Sequence, residues 1–209
     1  VDVLVNNAGI TGAGSGEETP IDVYQATFDT NVLGVVRCTQ AVLPGMREAG
    51  SGRIVNISSS SAVVSPPLMA AYASTKRAVE SIGESLQAEV APFGIRVVLV
   101  QAGTILTPIW GKSEAPPADT AYPPARDFLL KVLAHQLTTS GVTPETVADA
   151  IAAAVADDAP SLRHLVGDAE VLAGMRERHP DDDLFGVYFL DGREFESRYH
   201  ELSGIDYWA

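Results

Sequence analysis

Short apolar runs alternate with longer amphipathic segments along most of this chain. Residues 3–5, 54–57 and 96–101 are rich in Val, Ile and Leu and are bounded by Gly, Asn or Ser, as is typical of buried strands. Strands that alternate with helical segments build a parallel sheet covered by helices. The pattern therefore predicts an α/β fold, with a last short strand at residues 163–169.

The helical segments carry start and stop signals. Thr19 and Pro20 suit the N-cap and first turn of a helix, because Thr accepts a backbone hydrogen bond and Pro needs no donor there. Asn31 is a poor residue for a helix interior, so it predicts either a local distortion with a function or an exposed, tolerated position. The predicted helices cover residues 20–46, 70–90 and 144–156.

Tyr72 and Lys76 are the strongest candidates for chemistry. Their spacing puts both side chains on one face of the predicted helix at residues 70–90. A cation beside a phenol favours the phenolate and lowers its pKa, as a general acid or base near neutral pH requires. Because such a spacing also arises by chance, its meaning depends on the surrounding residues.

Other polar and small residues directly follow the predicted strands. Ser59 comes after the second strand, where open α/β sheets place their ligands, although a turn or cap is the commoner role for such a serine. Asn7, Ala8 and Gly9 follow the first strand, where they either let a ligand approach the backbone closely or form a plain turn. We expect Ser59 and Tyr72 to meet at one substrate oxygen.

Together these motifs resemble the short-chain dehydrogenase/reductase family. The matching segments are Asn6-Asn7-Ala8-Gly9, Asn31, Ile57-Ser58-Ser59, Tyr72-x-x-x-Lys76 and Ala102-Gly103-Thr104-Ile105-Leu106-Thr107. The last segment departs from the family pattern, in which Pro stands at the position of Ala102. The resemblance covers residues 1–175 and implies a Rossmann-like, doubly wound parallel sheet.

The resemblance also implies a role for each matching residue. Tyr72 would exchange a proton with the substrate oxygen, and Ser59 would polarise the carbonyl. Lys76 would lower the pKa of Tyr72 and hold the nicotinamide ribose, while Asn31 would hold a water that links Lys76 to solvent. The implied cofactor is NAD or NADP, without a metal ion. The residues implied in its binding are Asn7, Ala8, Gly9, Tyr72, Lys76, Gly103, Ile105 and Thr107.

Part of the implied fold is not found in this sequence. The family's cofactor site begins with a Gly-rich turn after its first strand, whereas Gly12, Gly14 and Gly16 follow the Asn-Asn-Ala-Gly strand and predict a flexible loop at the mouth of the cleft. We expect a C-terminal fragment that lacks three strands and three helices, about 70–90 residues. A natural truncation is the alternative. The residues that choose between NAD and NADP would lie in the missing part.

Two C-terminal segments differ in character from the rest. Residues 108–142 are broken by prolines and contain Trp110, Phe128 and Leu133; the family places a mobile substrate lid here, and plain packing is the equal alternative. An apolar lid suggests a lipophilic substrate. Residues 163–169 resemble a segment of steroid- and retinol-dehydrogenase-like members. Residues 176–209 form an acidic, aromatic extension that we expect to pack on the core or on a partner subunit, without chemistry.

Composition narrows the function classes. The net charge of −13 argues against binding to nucleic acids and to anionic membrane surfaces. The single cysteine, Cys38, excludes an internal disulfide and fits a reducing compartment, so we expect a cytoplasmic location. By resemblance, the helices at residues 20–46 and 70–90 would form the interface of a homodimer or homotetramer.

The resulting hypothesis is hydride transfer between NAD(P) and an alcohol and its ketone or aldehyde. Two alternatives stay open: a non-catalytic Rossmann-like module that binds a nucleotide or a partner, and an epimerase or dehydratase that uses the same Tyr and Lys. A net change in NAD(P)H absorbance during turnover separates the dehydrogenase from both.

Overall fold

A four-stranded parallel sheet forms the centre of the computed structural model, which describes residues 1–112 and 115–208. The strands follow the order β1-β2-β3-β4, with bounds Val3–Asn6, Gly52–Ser59, Ile95–Ala102 and Arg163–Val166. The predicted parallel α/β sheet is confirmed. The last strand is shorter than predicted because Gly167 adopts a φ of 69° and turns the chain into the next helix.

Nine helices are described in residues 1–112 and 115–208. Their bounds are Ile21–Phe28 (α1), Gly34–Ala49 (α2), Ala70–Val90 (α3), Ile109–Lys112 (α4), Pro123–His135 (α5), Pro144–Ala156 (α6), Ala169–Arg178 (α7), Asp181–Gly186 (α8) and Gly192–Ser203 (α9). Short π-helical turns cover Asp29–Leu33 and Gln136–Ser140, and 3₁₀ turns cover Ser60–Ala62, Ala91–Phe93 and Val187–Phe189.

The first predicted helix is divided in two at Asn31. A π-helical turn over Asp29–Leu33 separates α1 from α2, which confirms the distortion expected there. The start signal was wrong in detail, because the Thr19 hydroxyl donates to the Ser15 carbonyl at 2.6 Å and caps no helix. By contrast, Thr143 caps α6 as predicted, and its Oγ1 accepts from the backbone N of Thr146 at 3.3 Å.

Alternate residues of β3 pack against helices on opposite faces of the sheet. Ile95 and Val97 contact buried residues of α2 and α3, including Met46. Val98 and Val100 lie in a second cluster with residues of α6. Because both faces are covered there, the central strands β2 and β3 are buried as in a doubly wound sheet, whereas Val3 and Val5 of the edge strand β1 are exposed. The functional ends of β1, β2 and β3 therefore share one edge of a rigid sheet.

The C-terminal extension packs on this chain itself. Its residues Leu184, Tyr199 and Leu202 form one buried cluster with Phe128 of α5. The extension and the predicted lid therefore share one core. Two residues within the predicted lid, 113–114, and residue 209 of the extension lie outside the described residues. Among the helices that the structure describes, none has the length and apolar character needed to cross a membrane.

The packing of α3 on β3 leads to a stability prediction. A Cβ on Gly83 would come within 2.6 Å of Leu99 Cδ2, and Leu99 is fully buried. Although Ala favours helices, we expect Gly83→Ala to lower the free energy of unfolding by about 1–3 kcal/mol through overpacking. Urea denaturation measures this change.

A matched control for this substitution exists in α2. A Cβ on Gly45 would meet no atom within 4 Å. Gly45→Ala should therefore leave stability unchanged or raise it by up to about 1 kcal/mol. A Gly83→Ala protein as stable as the wild type would contradict the close approach of α3 to β3.

Candidate active site

One cavity of about 660 Å³ lies where the carboxyl ends of β1, β2 and β3 meet the first turns of α3. This position follows from the fold, because parallel strands bring their carboxyl ends to one edge of the sheet. Three of the four predicted catalytic residues and all predicted cofactor residues line it. They are Ser59, Tyr72 and Lys76, with Asn7, Ala8, Gly9, Gly103, Ile105 and Thr107.

Ser59 and Tyr72 meet in this cavity as expected. Ser59 is the last residue of β2, and its Oγ accepts from the backbone N of Ser61 at 3.1 Å. The Ser59 hydroxyl is also hydrogen-bonded with the Tyr72 phenol. Tyr72 lies in the first turn of α3, and the two hydroxyls together form a pair that one substrate oxygen can contact.

The Lys76 ammonium is buried beside this pair. Only 6% of Lys76 is exposed, and its Nζ donates to the main-chain oxygen of Ile57 at 2.8 Å. The same Nζ lies 5.5 Å from the centroid of the Tyr72 ring. The helical spacing therefore does place both side chains on one face, but Lys76 contacts the ring and the end of β2 rather than the phenol oxygen.

Burial decides the protonation of both side chains. Burial raises the pKa of the Tyr72 phenol above its ordinary value, and the hydrogen bond with Ser59 opposes part of that rise. Burial also lowers the pKa of Lys76 to about 8. For the chain as it stands, desolvation is the larger effect on the pKa of the Tyr72 phenol, and the expected lowering by Lys76 stays a prediction.

Asn31 lies behind the cavity and does not line it. Its Oδ1 accepts from the backbone N of Ile10 at 2.9 Å, and its Nδ2 donates to the Ile10 carbonyl at 2.9 Å and to Thr75 Oγ1 at 3.1 Å. The side chain is 1% exposed, so the alternative of an exposed, tolerated Asn is wrong. Asn31 joins the loop after β1 to α3, and this contact holds the two walls of the cavity together.

Gly9 brings the loop after β1 close to these polar groups. A Cβ on Gly9 would lie 3.4 Å from Asn31 Oδ1 and 3.9 Å from Lys76 Nζ. A ligand that covers this backbone can therefore reach the Lys76 ammonium. The cavity also offers the hydroxyl of Thr107. Ammonium and hydroxyl donors next to a bare backbone suit ribose hydroxyls and a carboxamide, so these residues fit the nicotinamide half of NAD(P).

Gly103 has a structural reason of its own to be glycine. A Cβ there would overlap the Oδ1 atom of Asp168, which also accepts from the backbone N of Thr104 at 3.1 Å. Asp168 is 5% exposed, and burial raises the pKa of its carboxyl. The carboxyl thus fixes the loop after β3, which carries Ile105 and Thr107 to the cavity.

The Gly-rich segment at residues 12–16 packs against helices. A Cβ on Gly12 would lie 3.0 Å from a methyl carbon of Val23, and the Gly14 backbone N donates to the Leu68 carbonyl at 2.8 Å. Thr11 and Ala13 line the cavity, which places this loop beside its opening. Gly12 therefore serves close packing against α1 and α3, whereas a Cβ on Gly14 would meet Thr19 and a Cβ on Gly16 would meet no atom within 4 Å.

Apolar residues of the segment 108–142 and of the C-terminal extension complete the cavity. Trp110, Phe128 and Leu133 line it, and their role in a substrate lid stays a prediction. Sequence reasoning missed a further set in the C-terminal part of the chain, which was expected to carry no chemistry. This set comprises Leu172, Tyr188, Tyr199 and Tyr207. The many aromatics of the tail were the available signal, but spacing alone does not show what they face.

Comparison with known proteins agrees with this geometry. The family model for short chain dehydrogenase matches residues 1–118. The chain is 38% identical over 156 residues to the uncharacterized oxidoreductase YusZ of Bacillus subtilis, covering 72% of this chain and 55% of that protein. It is 32% identical over 199 residues to an NADPH-dependent 3-dehydrocapnine reductase of Ornithobacterium rhinotracheale, covering 91% of this chain and 70% of the reductase.

A solved structure shows the same arrangement of elements. The crystal structure of a short-chain dehydrogenase from Streptomyces avermitilis superposes with a TM-score of 0.74 at 37% sequence identity. The match covers 85% of this chain and 65% of the crystallised chain. This chain therefore spans between 55% and 70% of the length of these three proteins.

Lys76 makes the stability of the fold depend on pH. Its pKa falls from 10.5 to about 8 on folding, so the unfolded chain binds more protons within that window and stability rises with pH across it. Between about pH 7 and pH 10, wild type should gain roughly 2–3 kcal/mol in free energy of unfolding relative to Lys76→Met. Urea denaturation at both pH values measures this difference.

Lys131→Met is the matched control, because Lys131 is exposed on α5. The difference between wild type and this control should change less over the same pH range than the difference for Lys76→Met, because about half of the Lys131 side chain is in solvent. If wild type and Lys76→Met show parallel pH dependence, the lysine is not desolvated in the folded protein.

Proposed function

Because this chain belongs to the short chain dehydrogenase family, we propose that the protein is an oxidoreductase that transfers a hydride between NAD or NADP and an alcohol, ketone or aldehyde. The observation that carries this proposal is the convergence of Ser59, Tyr72 and Lys76 on one cavity with the loops after β1 and β3. A pure binding module has no need of that set. One relative is named as NADPH-dependent, which supports a nicotinamide cofactor here.

Tyr72 is the proposed proton donor in the direction of reduction. Its raised pKa keeps the phenol protonated at neutral pH, so it can give its proton to the carbonyl oxygen. Ser59 donates a hydrogen bond to the same oxygen and stabilises the negative charge that develops on it. When bound, the reduced cofactor supplies the hydride to the carbonyl carbon. In the reverse direction Tyr72 must first lose its proton, so alcohol oxidation should be faster at higher pH.

Lys76 and Asn31 have supporting roles in this proposal, Lys76 beside Tyr72 and Asn31 at the loop after β1. The Lys76 ammonium lies close to the Tyr72 ring and stabilises a phenolate once the proton has left. Its remaining N–H groups can hold ribose hydroxyls over the loop at Asn7, Ala8 and Gly9. Asn31 positions that loop through Ile10, and the water that links Lys76 to solvent remains part of the proposal.

The proposed substrate is lipophilic. Apart from the polar groups at the ends of the strands, the cavity wall is made by Trp110, Phe128 and Leu133 together with residues of the extension. Such a wall favours apolar ligands, because burying their surface is the main source of binding free energy. We therefore expect ketones with long alkyl or aromatic substituents to be better substrates than small polar ones.

Replacement of Tyr72 tests the catalytic role directly. Tyr72→Phe removes the acidic proton but keeps the ring, so turnover in the full-length protein should fall at least about 100-fold while cofactor binding persists. NAD(P)H absorbance measures turnover, and NAD(P)H fluorescence measures binding. Tyr24→Phe, in α1 and away from the cavity, is the control. Turnover of Tyr72→Phe within a few-fold of wild type would remove Tyr72 from the mechanism.

The same assay separates the alternative functions. A dehydrogenase changes NAD(P)H absorbance in proportion to product, whereas an epimerase or dehydratase forms product with no net change. A binding module forms no product. Product formation without net oxidation or reduction of the cofactor would therefore overturn the proposed reaction while leaving the family intact.

We also propose assembly into a homodimer or homotetramer through the helices α1, α2 and α3. Ser85 and Ala88 are small exposed residues of α3, and Leu33 is an exposed apolar residue in the π-helical turn between α1 and α2. Such positions allow close helix contact between two copies. In sedimentation velocity, we expect full-length protein to be dimeric or tetrameric and Ser85→Arg to dissociate it. A monomeric wild type would contradict this interface.

A further inference from the structure

Three tyrosine side chains from the C-terminal extension reach the active-site cavity. Tyr188 lies in the 3₁₀ turn Val187–Phe189, Tyr199 lies in α9, and Tyr207 lies in the segment after α9. All three line the same cavity as Tyr72. The extension therefore brings phenol groups from three separate elements to one wall, which the hydride-transfer reaction itself does not require.

These tyrosines belong to a tightly packed aromatic cluster. The Tyr199 ring lies 4.9 Å from the Phe128 ring and 5.8 Å from the Tyr207 ring, measured between centroids, both edge to face. Tyr188 lies 5.8 Å from the Phe128 ring. Tyr199 and Tyr207 are only 5% and 7% exposed. Their positions are thus fixed by packing, and a ligand in the cavity meets a preformed wall.

The hydroxyl groups of this wall have no hydrogen-bond partner among the described residues. The Tyr122 phenol, outside the cavity, is by contrast bonded to Glu17 at 2.5 Å. None of the three hydroxyl oxygens is among the fully enclosed, unpaired polar atoms, so each keeps some accessible surface, and all three residues line the cavity. Phe128 and Phe195 pack in the same cluster without any hydroxyl, so packing alone does not call for one.

We propose that Tyr199 and Tyr207 form a hydrogen-bonding subsite that recognises a second, neutral oxygen group on a lipophilic substrate. The inference rests on the proposed function of this cavity and narrows its substrate class. The preferred compound carries a hydroxyl or carbonyl group in addition to the carbonyl that is reduced. A phenol both donates and accepts, so either group can bind.

Charge favours a neutral group over a carboxylate or an ammonium. Lys76 is the only charged side chain among the described residues that line the cavity. It lies beside Tyr72, where the proposed reaction takes place, and not at the tyrosine wall. Burial, with the nearby Asp168 as a second cause, raises the pKa of Tyr207 to about 12, so this phenol stays neutral at physiological pH. An anion placed here would meet no cation among the described residues that line this wall and would lie near the Asp168 carboxyl.

Matched pairs of ketones test the subsite. The probes are 2-alkanones of seven to twelve carbons and the corresponding ω-hydroxy-2-alkanones, so that one chain length spans the cavity. Binding to the full-length protein is followed by tryptophan fluorescence. Trp110 lines the cavity, and Trp208 packs on Phe128 beside it. At the best chain length, the hydroxy ketone should bind about 5–20-fold more tightly than its partner, the effect of one or two hydrogen bonds.

The variants Tyr199→Phe and Tyr207→Phe, singly and together, test which groups are responsible. Each should reduce the ratio of affinities between the paired ketones, and the double variant should bring it close to one. Tyr122→Phe is the matched control and should keep the wild-type ratio. Because the removed hydroxyls have no partner in the described residues, the melting temperature should not fall. The two single variants provide independent tests should one of them fold poorly.

The outcomes separate this inference from the proposed function. Equal affinities at every chain length in wild type, or a ratio that survives the double substitution, would overturn the subsite. Reduction of the ketones without a hydroxyl preference would leave the proposed function standing and remove the subsite. Preferential binding of hydroxy ketones without any turnover would support the subsite and count against the proposed function.

Discussion

The burial of one positive charge organises this site. Lys76 Nζ lies at the end of β2, donates to the Ile57 carbonyl and faces the Tyr72 ring. Desolvation of an ammonium costs free energy, which appears here as a pKa near 8. The helix that carries Lys76, α3, packs closely on the sheet, with Gly83 against Leu99. The same packing positions Tyr72 beside Ser59, so the protonation and the geometry of the site have one origin.

The walls around this charge are held by polar side chains that do not enter the cavity. Asn31, in a π-helical turn, forms a two-way hydrogen bond with the backbone of Ile10 and reaches Thr75. Asp168 holds the backbone N of Thr104 and occupies the space beside Gly103. Both residues fix a loop at the carboxyl end of a strand. These loops then present their own backbone and small side chains to a ligand.

The substrate side of the cavity is built in a different way. Helix α5 and the C-terminal extension share one aromatic cluster around Phe128, so these two parts of the chain form a single packed unit. This unit adds a mostly apolar wall with a few phenol groups to a site whose reacting groups come from the sheet and α3. Under the proposed function, reaction chemistry and substrate selection thus rest on separate parts of the chain.

The sequence by itself determined the parallel sheet, the long helix at residues 70–90 and the meeting of Ser59, Tyr72 and Lys76. Hydrophobic periodicity and strand-end position fix these features locally, because parallel strands bring their carboxyl ends together. Only the tertiary structure decided that burial raises the pKa of Tyr72, that Asn31 supports the cavity from behind, and that the tail lines it. Desolvation and contacts between distant segments set these properties, and no local pattern records them.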